Sequence, residues 1–111
     1  MTAGETVSAF LKAMNAEDFK TARQYADDDL QFEGVMGSRD GAEAYFKDME
    51  HMKLKYDIKR LFSDGDDVSV FYDIAMGGQH IFSSGWYHLK DGKINTIKVL
   101  FDPRPLLQKK D

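Results

Sequence analysis

The chain has 111 residues, with 15 Lys and Arg against 19 Asp and Glu and a formal net charge of −4. This length predicts a single domain, residues 1–111, whose core needs no metal or disulfide to fold. The absence of cysteine excludes disulfides and thiolate metal sites. The mild, interspersed charge argues against a nucleic-acid partner. Because no signal peptide and no membrane-length apolar run is visible, we expect a cytoplasmic protein with no membrane partner.

The first half of the chain is predicted to be mostly helical. Apolar residues recur at helical spacing over residues 5–15, with Thr2 or Thr6 as the cap, and a short second helix follows from residue 16 or 17 up to the acidic run at 27–29. Residues 30–36 are predicted to form a strand and residues 37–41 a turn. A third helix is expected over residues 42–52, where aromatic and Met side chains again repeat at helical spacing.

The second half of the chain has the alternating pattern of strands. Strands are expected over residues 53–62, 68–76, 79–89 and 93–101, separated by turn signals at Asp64-Gly65, Gly77-Gly78 and Asp91-Gly92. Residues 102–105 end the last strand, and residues 106–111 are predicted to be a polar tail. This order predicts an α+β fold, in which a curved antiparallel sheet wraps around three N-terminal helices and leaves a cone-shaped cavity.

The turn positions also predict which side chains share a face of the sheet. They place Asp73 opposite Phe82 and opposite Tyr56 or Ile58, and Phe82 beside Phe101. One face then carries the following residues: Leu54, Tyr56, Ile58, Phe71, Asp73, His80, Phe82, Ser84, Trp86, Ile97, Val99 and Phe101. The other face carries these: Val68, Val70, Tyr72, Ile74, Ile81, Ser83, Tyr87, Lys98 and Leu100.

Both predicted faces are rich in apolar side chains, which is unusual for an antiparallel sheet with one wet side. One face can pack on the helices, and the other needs a partner, for which a twofold homodimer through the outer sheet face is the commonest solution. We expect the aromatic face with Asp73 and His80 to be the interior. The alternative places that face at the dimer contact.

Asp73 is the first candidate for a functional residue because it is a carboxylate within an apolar strand. Desolvation among aromatic rings would raise its pKa, and His80 is a diagonal neighbour roughly 7–8 Å away. The pair is predicted as catalytic acid/base residues; alternatively Asp73 is a buried polar residue bonded to the Tyr56 hydroxyl or to water. The predicted ligand-binding residues are Tyr56, Phe71, Phe82, Trp86, Val99, Phe101, Tyr45 and Phe10. No histidine has partners at metal-ligand spacing, so neither a metal nor another cofactor is expected.

Three strings carry a resemblance to a known family: FLKAMNAEDF at 10–19, GSRDGAEAYF at 37–46, and DGKI with FDP at 91–103. Together with the order of elements they resemble the nuclear-transport-factor-2-like (NTF2-like) superfamily, in particular its SnoaL-like, polyketide-cyclase-like members, over essentially the whole chain. The resemblance implies the cystatin-like cone. The superfamily includes isomerases, cyclases, hydrolases and inactive binders, so it leaves the activity open.

The catalytic residues of two such enzyme classes are mostly absent. The positions of the ketosteroid isomerase tyrosine and aspartates are occupied by Phe10, Gly34 and Gly85. In limonene-epoxide hydrolases the first aspartate of the relay corresponds to Asp73, but its arginine position is Phe71. We therefore expect a protein that binds a small hydrophobic molecule in its cone, with metal-free isomerase, cyclase or hydrolase chemistry left open. The alternative is a non-catalytic ligand-binding or dimerisation module.

Overall fold

The computed structural model describes residues 1–107 and confirms the α+β prediction; residues 108–111 of the predicted tail lie outside the described residues. The helices are α1 (Ala3–Asn15), α2 (Phe19–Gln24), α3 (Ala42–Met52) and α4 (Arg104–Leu107). The strands are β1 (Ala26–Gly34), β2 (Gly37–Asp40), β3 (Lys55–Asp64), β4 (Asp67–Met76), β5 (Gln79–Lys90) and β6 (Lys93–Phe101). They form one sheet in the order β2-β1-β6-β5-β4-β3, antiparallel except where β1 runs parallel to β6.

Helix α1 begins at a capping box, and its cap is Thr2, one of the two predicted capping residues. The Thr2 hydroxyl accepts a hydrogen bond from the Glu5 amide, and the Glu5 carboxylate accepts one from the Thr2 amide. The apolar stripe of α1 is completely buried at Val7, Phe10 and Leu11, where it packs in the concave side of the sheet. No helix within residues 1–107 has the length and apolar character needed to cross a membrane.

Two predictions for the segment between α2 and α3 are wrong. Residues 37–41 are predicted as a turn, but Gly37–Asp40 is a strand that pairs antiparallel with β1. The acidic run at 27–29 is predicted to end a helix, but it lies within β1. The reason is long-range pairing: β1 gains hydrogen-bonded neighbours in both β2 and β6, and this overrides a local sequence rich in Asp and Gly.

The prediction of which sheet face points inward is also wrong. Along β4 the buried residues are Val68, Val70, Tyr72 and Ile74, so Asp73 lies on the outer face. The turn at Gly77-Gly78 is nevertheless as predicted, and Asp73 pairs with Phe82. Successive residues of β4 point to opposite faces of the sheet, and both faces are apolar. The sequence pattern therefore does not show which face packs against the helices.

Two β-bulges place residues on the face opposite to the predicted one. An extra residue at Lys59 makes Asp57 the partner of Asp73 and turns Tyr56 inward, beside Ile74. The β5–β6 ladder has a second shift, where Leu89 pairs with Ile94 but His88 pairs with Thr96. Each bulge inserts one residue into a strand, and a shift of one residue exchanges the two faces from that point onward.

Candidate functional site

A pocket of about 380 Å³ opens between α3, the β1–β2 hairpin and the concave face of β4, β5 and β6. Its wall is mainly apolar, because the strands contribute aliphatic and aromatic side chains and α3 contributes methionines. The lining residues from the sheet, α3 and the connecting segments are Phe32, Gly34, Val35, Met36, Gly37, Arg39, Tyr45, Asp48, Met49, Met52, Leu54, Tyr56, Tyr72, Ile74, Met76, Gly77, Tyr87, Ile97, Val99, Phe101 and Leu106.

Four tyrosines form the inner end of this pocket, and each is at most 8% exposed. Tyr45 comes from α3, whereas Tyr56, Tyr72 and Tyr87 come from three adjacent strands. The Tyr72 and Tyr87 hydroxyls are hydrogen-bonded at 2.8 Å, and the Tyr56 hydroxyl lies 4.0 Å from the Met49 sulfur. The tyrosines are the main polar groups in a region otherwise lined by carbon and sulfur.

Burial determines the protonation state of these tyrosines. It raises the pKa of Tyr72 to about 12 and raises the pKa values of Tyr45, Tyr56 and Tyr87 further above the ordinary value. The physical cause is that a phenolate would lose its hydration in this environment. At neutral pH all four side chains are therefore uncharged hydroxyls that can donate a hydrogen bond.

The mouth of the pocket is more polar than its inner end. Arg39 of β2 and Asp48 of α3 form an ion pair there, and both side chains are partly exposed. On the other side, Leu106 of α4 lies against the turn at Gly77, where an added Cβ would be 3.0 Å from the leucine methyl group. Within residues 1–107 no three His, Asp or Glu side chains converge on a position where they would hold a metal ion.

The structure brings together four of the eight residues predicted to bind a ligand. Tyr45, Tyr56, Val99 and Phe101 all line the pocket. Phe10 is instead completely buried in the core, where its ring packs edge-on against Phe46. Three of the four reach the pocket because of the bulges: Tyr56 is turned inward by the β3 bulge, and Val99 and Phe101 by the one between β5 and β6.

The other predicted site residues lie on the outer face of the sheet, away from the pocket. Phe82 is 63% exposed and Trp86 is 52% exposed, and Phe71 stacks on Phe82 with ring centroids 6.3 Å apart. Asp73 and His80 are also on this face, so the prediction of an interior acid/base pair is wrong in its placement. The helices and the pocket are on the concave side, and a functional role for Asp73 and His80 at the outer face stays a prediction.

Asp73 is accompanied by charged neighbours rather than by aromatic walls alone. Asp57 is its direct cross-strand partner, and Lys59, the bulged residue, lies between the two carboxylates. The Lys59 ammonium is 2.7 Å from Asp57 and 3.7 Å from Asp73. The hydrogen bond and charge of Asp57 raise the pKa of Lys59, with a smaller contribution from Asp73. The lysine thus offsets the repulsion between two facing carboxylates.

The sequence predicts only two of the polar residues of the pocket, Tyr45 and Tyr56. Tyr72 and Tyr87 are assigned by the predicted register to the dimer face, whereas Arg39 is in a predicted turn. One signal is available in the sequence: four of the five tyrosines lie in α3 and the meander strands. Their convergence depends on the register, so the sequence pattern alone does not reveal it.

These features define a class of protein: an α+β cone of the cystatin-like, NTF2-like type, with a curved sheet that encloses a small apolar pocket. The sequence matches the model of the SnoaL-like domain family over residues 7–97. The chain therefore belongs to the SnoaL-like family. No curated protein matches the sequence.

Solved structures agree with this assignment. An NTF2-like protein of unknown function from Cytophaga hutchinsonii is 44% identical, with a TM-score of 0.95 and coverage of 97% of this chain and 96% of that chain. An LEH-like epoxide hydrolase from M. tuberculosis is 25% identical, with a TM-score of 0.78 and coverage of 95% and 86%. An uncharacterised cystatin-fold protein from Novosphingobium aromaticivorans is 20% identical, with a TM-score of 0.81 and coverage of 89% and 97%, and shows the shared fold.

Proposed function

We propose that this protein binds a small, largely apolar molecule in the pocket between α3 and the concave face of the sheet. The observation that carries the proposal is the pocket itself: about 380 Å³ of space inside a core whose other apolar side chains are tightly buried. Ligand pockets in proteins are commonly about 300–1,000 Å³, mainly apolar, and supplied with a few polar groups. Both properties are found here.

The wall predicts which kind of molecule fits. Ile74, Ile97 and Val99 of the sheet supply aliphatic surface to the pocket, and α3 contributes Met49 and Met52. Methionine side chains adapt to the shape of what they contact, so the α3 side suits ligands of varied outline. A planar ring system would bury its faces between the sheet and α3, and its edge would reach the tyrosines.

The proposal is for binding rather than for acid/base catalysis by the predicted pair. Asp73 and His80 are separated from the pocket by the sheet itself, because their neighbours Tyr72, Ile74 and Ile81 point inward. Asp48, at the mouth, is held by Arg39. The M. tuberculosis relative is an epoxide hydrolase. Its likeness supports a pocket for a small organic molecule in this chain, and hydrolysis is not part of the proposal.

A pair of variants at adjacent residues tests pocket binding. Val99→Phe adds bulk at the pocket wall, whereas Leu100→Phe changes the next residue, which is 71% exposed on the outer face. The probe is 2-isopropylnaphthalene, measured by its fluorescence. We expect the wild-type protein and Leu100→Phe to bind it with equal affinity and Val99→Phe to bind at least about tenfold more weakly while keeping its circular dichroism spectrum. Absence of binding to the wild type, or equal binding by both variants, would overturn the proposal.

A second candidate function, self-association, is favoured by the outer face of the sheet. Four large apolar side chains there are more than half exposed on neighbouring strands: Phe62, Phe82, Trp86 and Leu100. With the partly buried Phe71 they form one patch, which we call the outer aromatic patch. Exposed apolar patches of this kind usually mark an interaction surface. We propose that the partner is a second copy of this chain, which forms a homodimer through this face.

Three properties favour a second copy. Large and small residues alternate outward along each strand, with Ser69 beside Phe71 and Ser84 between Phe82 and Trp86, so a copy of the patch can supply both the projections and the recesses. The edge of the outer aromatic patch carries charges of both signs. Lys98 lies near Trp86, and Asp73 lies at the opposite end of the patch. Four strands about 4.8 Å apart and roughly 30 Å long span a flat area of roughly 600 Å² or less, to which the protruding aromatic side chains add surface, against the ~800 Å² per partner of a stable dimer.

The mass in solution tests the dimer. We expect light scattering at micromolar concentration to give twice the chain mass for the wild type and the chain mass for Phe82→Asp, because a carboxylate would be desolvated at the contact. Leu107→Asp is the control, since Leu107 is also well exposed but lies on α4; it should remain dimeric. A monomeric wild type, or a dimeric Phe82→Asp, would contradict self-association through this patch.

A further inference from the structure

The hydroxyls of Tyr72 and Tyr87 form a buried pair at the inner end of the pocket. Their oxygens are 2.8 Å apart, on adjacent strands, and neither side chain is more than 2% exposed. The pair exists because Gly85 on β5 has no side chain. A Cβ at that position would lie 2.3 Å from the Tyr72 hydroxyl oxygen and 2.9 Å from the Tyr87 ring. The backbone of β5 thus makes room for two hydroxyls that face the pocket.

The Tyr72–Tyr87 pair has one O–H donor for which the described part of the chain supplies no acceptor. Two phenols bring two O–H hydrogens, and the bond between them uses one. Within residues 1–107 neither hydroxyl has another hydrogen-bond partner, so the second hydrogen has no acceptor there. A buried donor without an acceptor is costly, and such cases commonly mark a functional position. An acceptor atom supplied by a ligand would complete the pair.

The surroundings determine the chemistry of that acceptor. Ile97 and Val99 of the sheet also line the pocket, and the Tyr56 hydroxyl interacts with the Tyr45 hydroxyl and lies 4.0 Å from the weakly accepting Met49 sulfur. No carboxylate or ammonium group of residues 1–107 is placed among the four tyrosines; the ion pair of Arg39 and Asp48 is at the mouth. An uncharged or developing-negative oxygen is therefore favoured over a cation, which would find no counter-charge at this depth.

We propose that the Tyr72–Tyr87 hydroxyl pair binds the carbonyl oxygen of the ligand and makes the pocket selective for planar apolar ketones over hydrocarbons of the same shape. The inference rests on the proposed pocket function and specifies its ligand class. Tyr72 and Tyr87 are specificity-determining residues in this assignment, and Gly85 acts through them by leaving space for the Tyr72 hydroxyl. Because burial keeps both phenols protonated, the donated hydrogen bond persists through neutral pH.

Two probes of nearly equal shape test the selectivity. 2-Acetylnaphthalene carries a carbonyl oxygen, and 2-isopropylnaphthalene carries a methyl group in its place. We expect the wild type to bind the ketone roughly three- to tenfold more tightly, the ratio that one neutral hydrogen bond supplies. Tyr72→Phe and Tyr87→Phe should each reduce that ratio toward one without weakening the binding of 2-isopropylnaphthalene. Tyr25→Phe, at the end of α2 and outside the pocket, should leave it unchanged.

An infrared measurement separates a hydrogen bond from a mere change of pocket shape. The carbonyl stretch of bound 2-acetylnaphthalene should lie at lower frequency in the wild type and in Tyr25→Phe than in Tyr72→Phe or Tyr87→Phe. If both probes bind the wild type equally and the stretch is the same in all variants, the selectivity proposal is overturned while pocket binding stands. If neither probe binds the wild type, pocket binding itself fails, and this inference fails with it.

Discussion

Gly85 and Tyr72 are coupled across β4 and β5: the Tyr72 hydroxyl occupies the space into which a side chain at position 85 would project. A Cβ there would lie 2.3 Å from the hydroxyl oxygen and 3.0 Å from the ring carbon that carries it. Tyr72 is completely buried, so its ring has little freedom to move aside. The absence of a side chain at Gly85 of β5 therefore determines where the Tyr72 hydroxyl of β4 can lie.

Replacing Gly85 should reveal this coupling as a change in stability. We expect Gly85→Ala to lower the free energy of unfolding by about 1–3 kcal/mol, the usual cost of forcing extra atoms into a packed core. Tyr72→Phe removes the hydroxyl and should cost about 1 kcal/mol. The double variant should lose less than the sum of the two, because the closest clash is gone. Urea denaturation measures all three.

Ser84→Ala is the matched control for the adjacent, outward-facing position and should change stability by less than about 0.5 kcal/mol. Additivity of Gly85→Ala and Tyr72→Phe would show that the two positions are independent and would contradict the coupling.

The buried tyrosines predict loss of stability at alkaline pH. In the unfolded chain Tyr72 loses its proton near pH 10, whereas in the folded protein its pKa is about 12. Between these values the folded state holds a proton that the unfolded state has released, so stability is complete below pH 10 and falls as the pH rises through this window. The slope is about 1.4 kcal/mol per pH unit for each such group.

Tyr45, Tyr56 and Tyr87 add to this slope because burial raises their pKa values as well. Tyrosinate absorbance and far-ultraviolet circular dichroism recorded together between pH 9 and about 12 should change in one transition, as unfolding exposes all four. Tyr72→Phe should make the decline less steep. Gradual ionisation of these tyrosines with the fold intact would be evidence against their burial.

The two facing carboxylates on β3 and β4 predict that Lys59 contributes to stability. Asp57 and Asp73 are direct cross-strand partners, and the Lys59 ammonium is within 4 Å of both. Lys59→Gln leaves the like charges uncompensated, so the variant should melt at a lower temperature than the wild type at neutral pH. Thermal melts at neutral pH measure the difference.

Lys47→Gln removes a lysine from α3, away from the sheet, and serves as the control for the change in net charge. An equal loss of melting temperature in this control would attribute the effect to overall charge instead of the Asp57–Asp73 pair. Combining Lys59→Gln with Asp73→Asn should restore the melting temperature at neutral pH.

Asp67 and the single tryptophan of the chain predict a fluorescence transition in acid. The Asp67 carboxylate accepts hydrogen bonds from the Trp86 indole at 2.9 Å and from His88 at 2.8 Å, and these, Trp86 first, hold the pKa of Asp67 below its usual value of 3.8. The stabilisation is present above that value and is lost as the pH falls through the lowered pKa. Trp86 emission should therefore change with a midpoint below pH 3.8.

Removal of His88 tests the assignment of this transition. His88→Phe takes away the second hydrogen bond and the histidine charge, so the midpoint of Trp86 emission should move to higher pH. His51→Phe, on α3, should leave the midpoint where it is. Equal midpoints in the wild type and His88→Phe would show that the histidine does not hold the carboxylate in its charged form.

Much of the fold follows from the sequence because local signals are consistent with one another. The structure confirms Thr2 as a cap of α1, the bounds of α3 at residues 42–52, and the Gly77-Gly78 turn. Gly77 and Gly78 both have positive φ, which a two-residue hairpin loop requires and glycine adopts without strain. The last strand, residues 93–101, matches its prediction at both ends.

The candidate site follows from the sequence only in part. Tyr45, Tyr56, Val99 and Phe101 are predicted and line the pocket, although the predicted register places Tyr56 and Val99 beside Asp73. Tyr56, Val99 and Phe101 reach the pocket through two bulges that no turn signal marks. Tyr72 and Tyr87 are missed for a different reason: a strand pattern shows that residues share a face, but the contacts that select the inner face come from other elements.

The sequence by itself determined most of the element order, the Gly77-Gly78 and Asp91-Gly92 turns and the existence of two apolar sheet faces, since these depend on residues close together in the chain. Only the tertiary structure decided that the face of Tyr72 packs against the helices while the face of Asp73 lies outside. The physical reason is that the alternation along β4 is satisfied equally by either choice. The packing of α1 and α3, together with one extra residue at Lys59 and a second bulge between β5 and β6, selects between them.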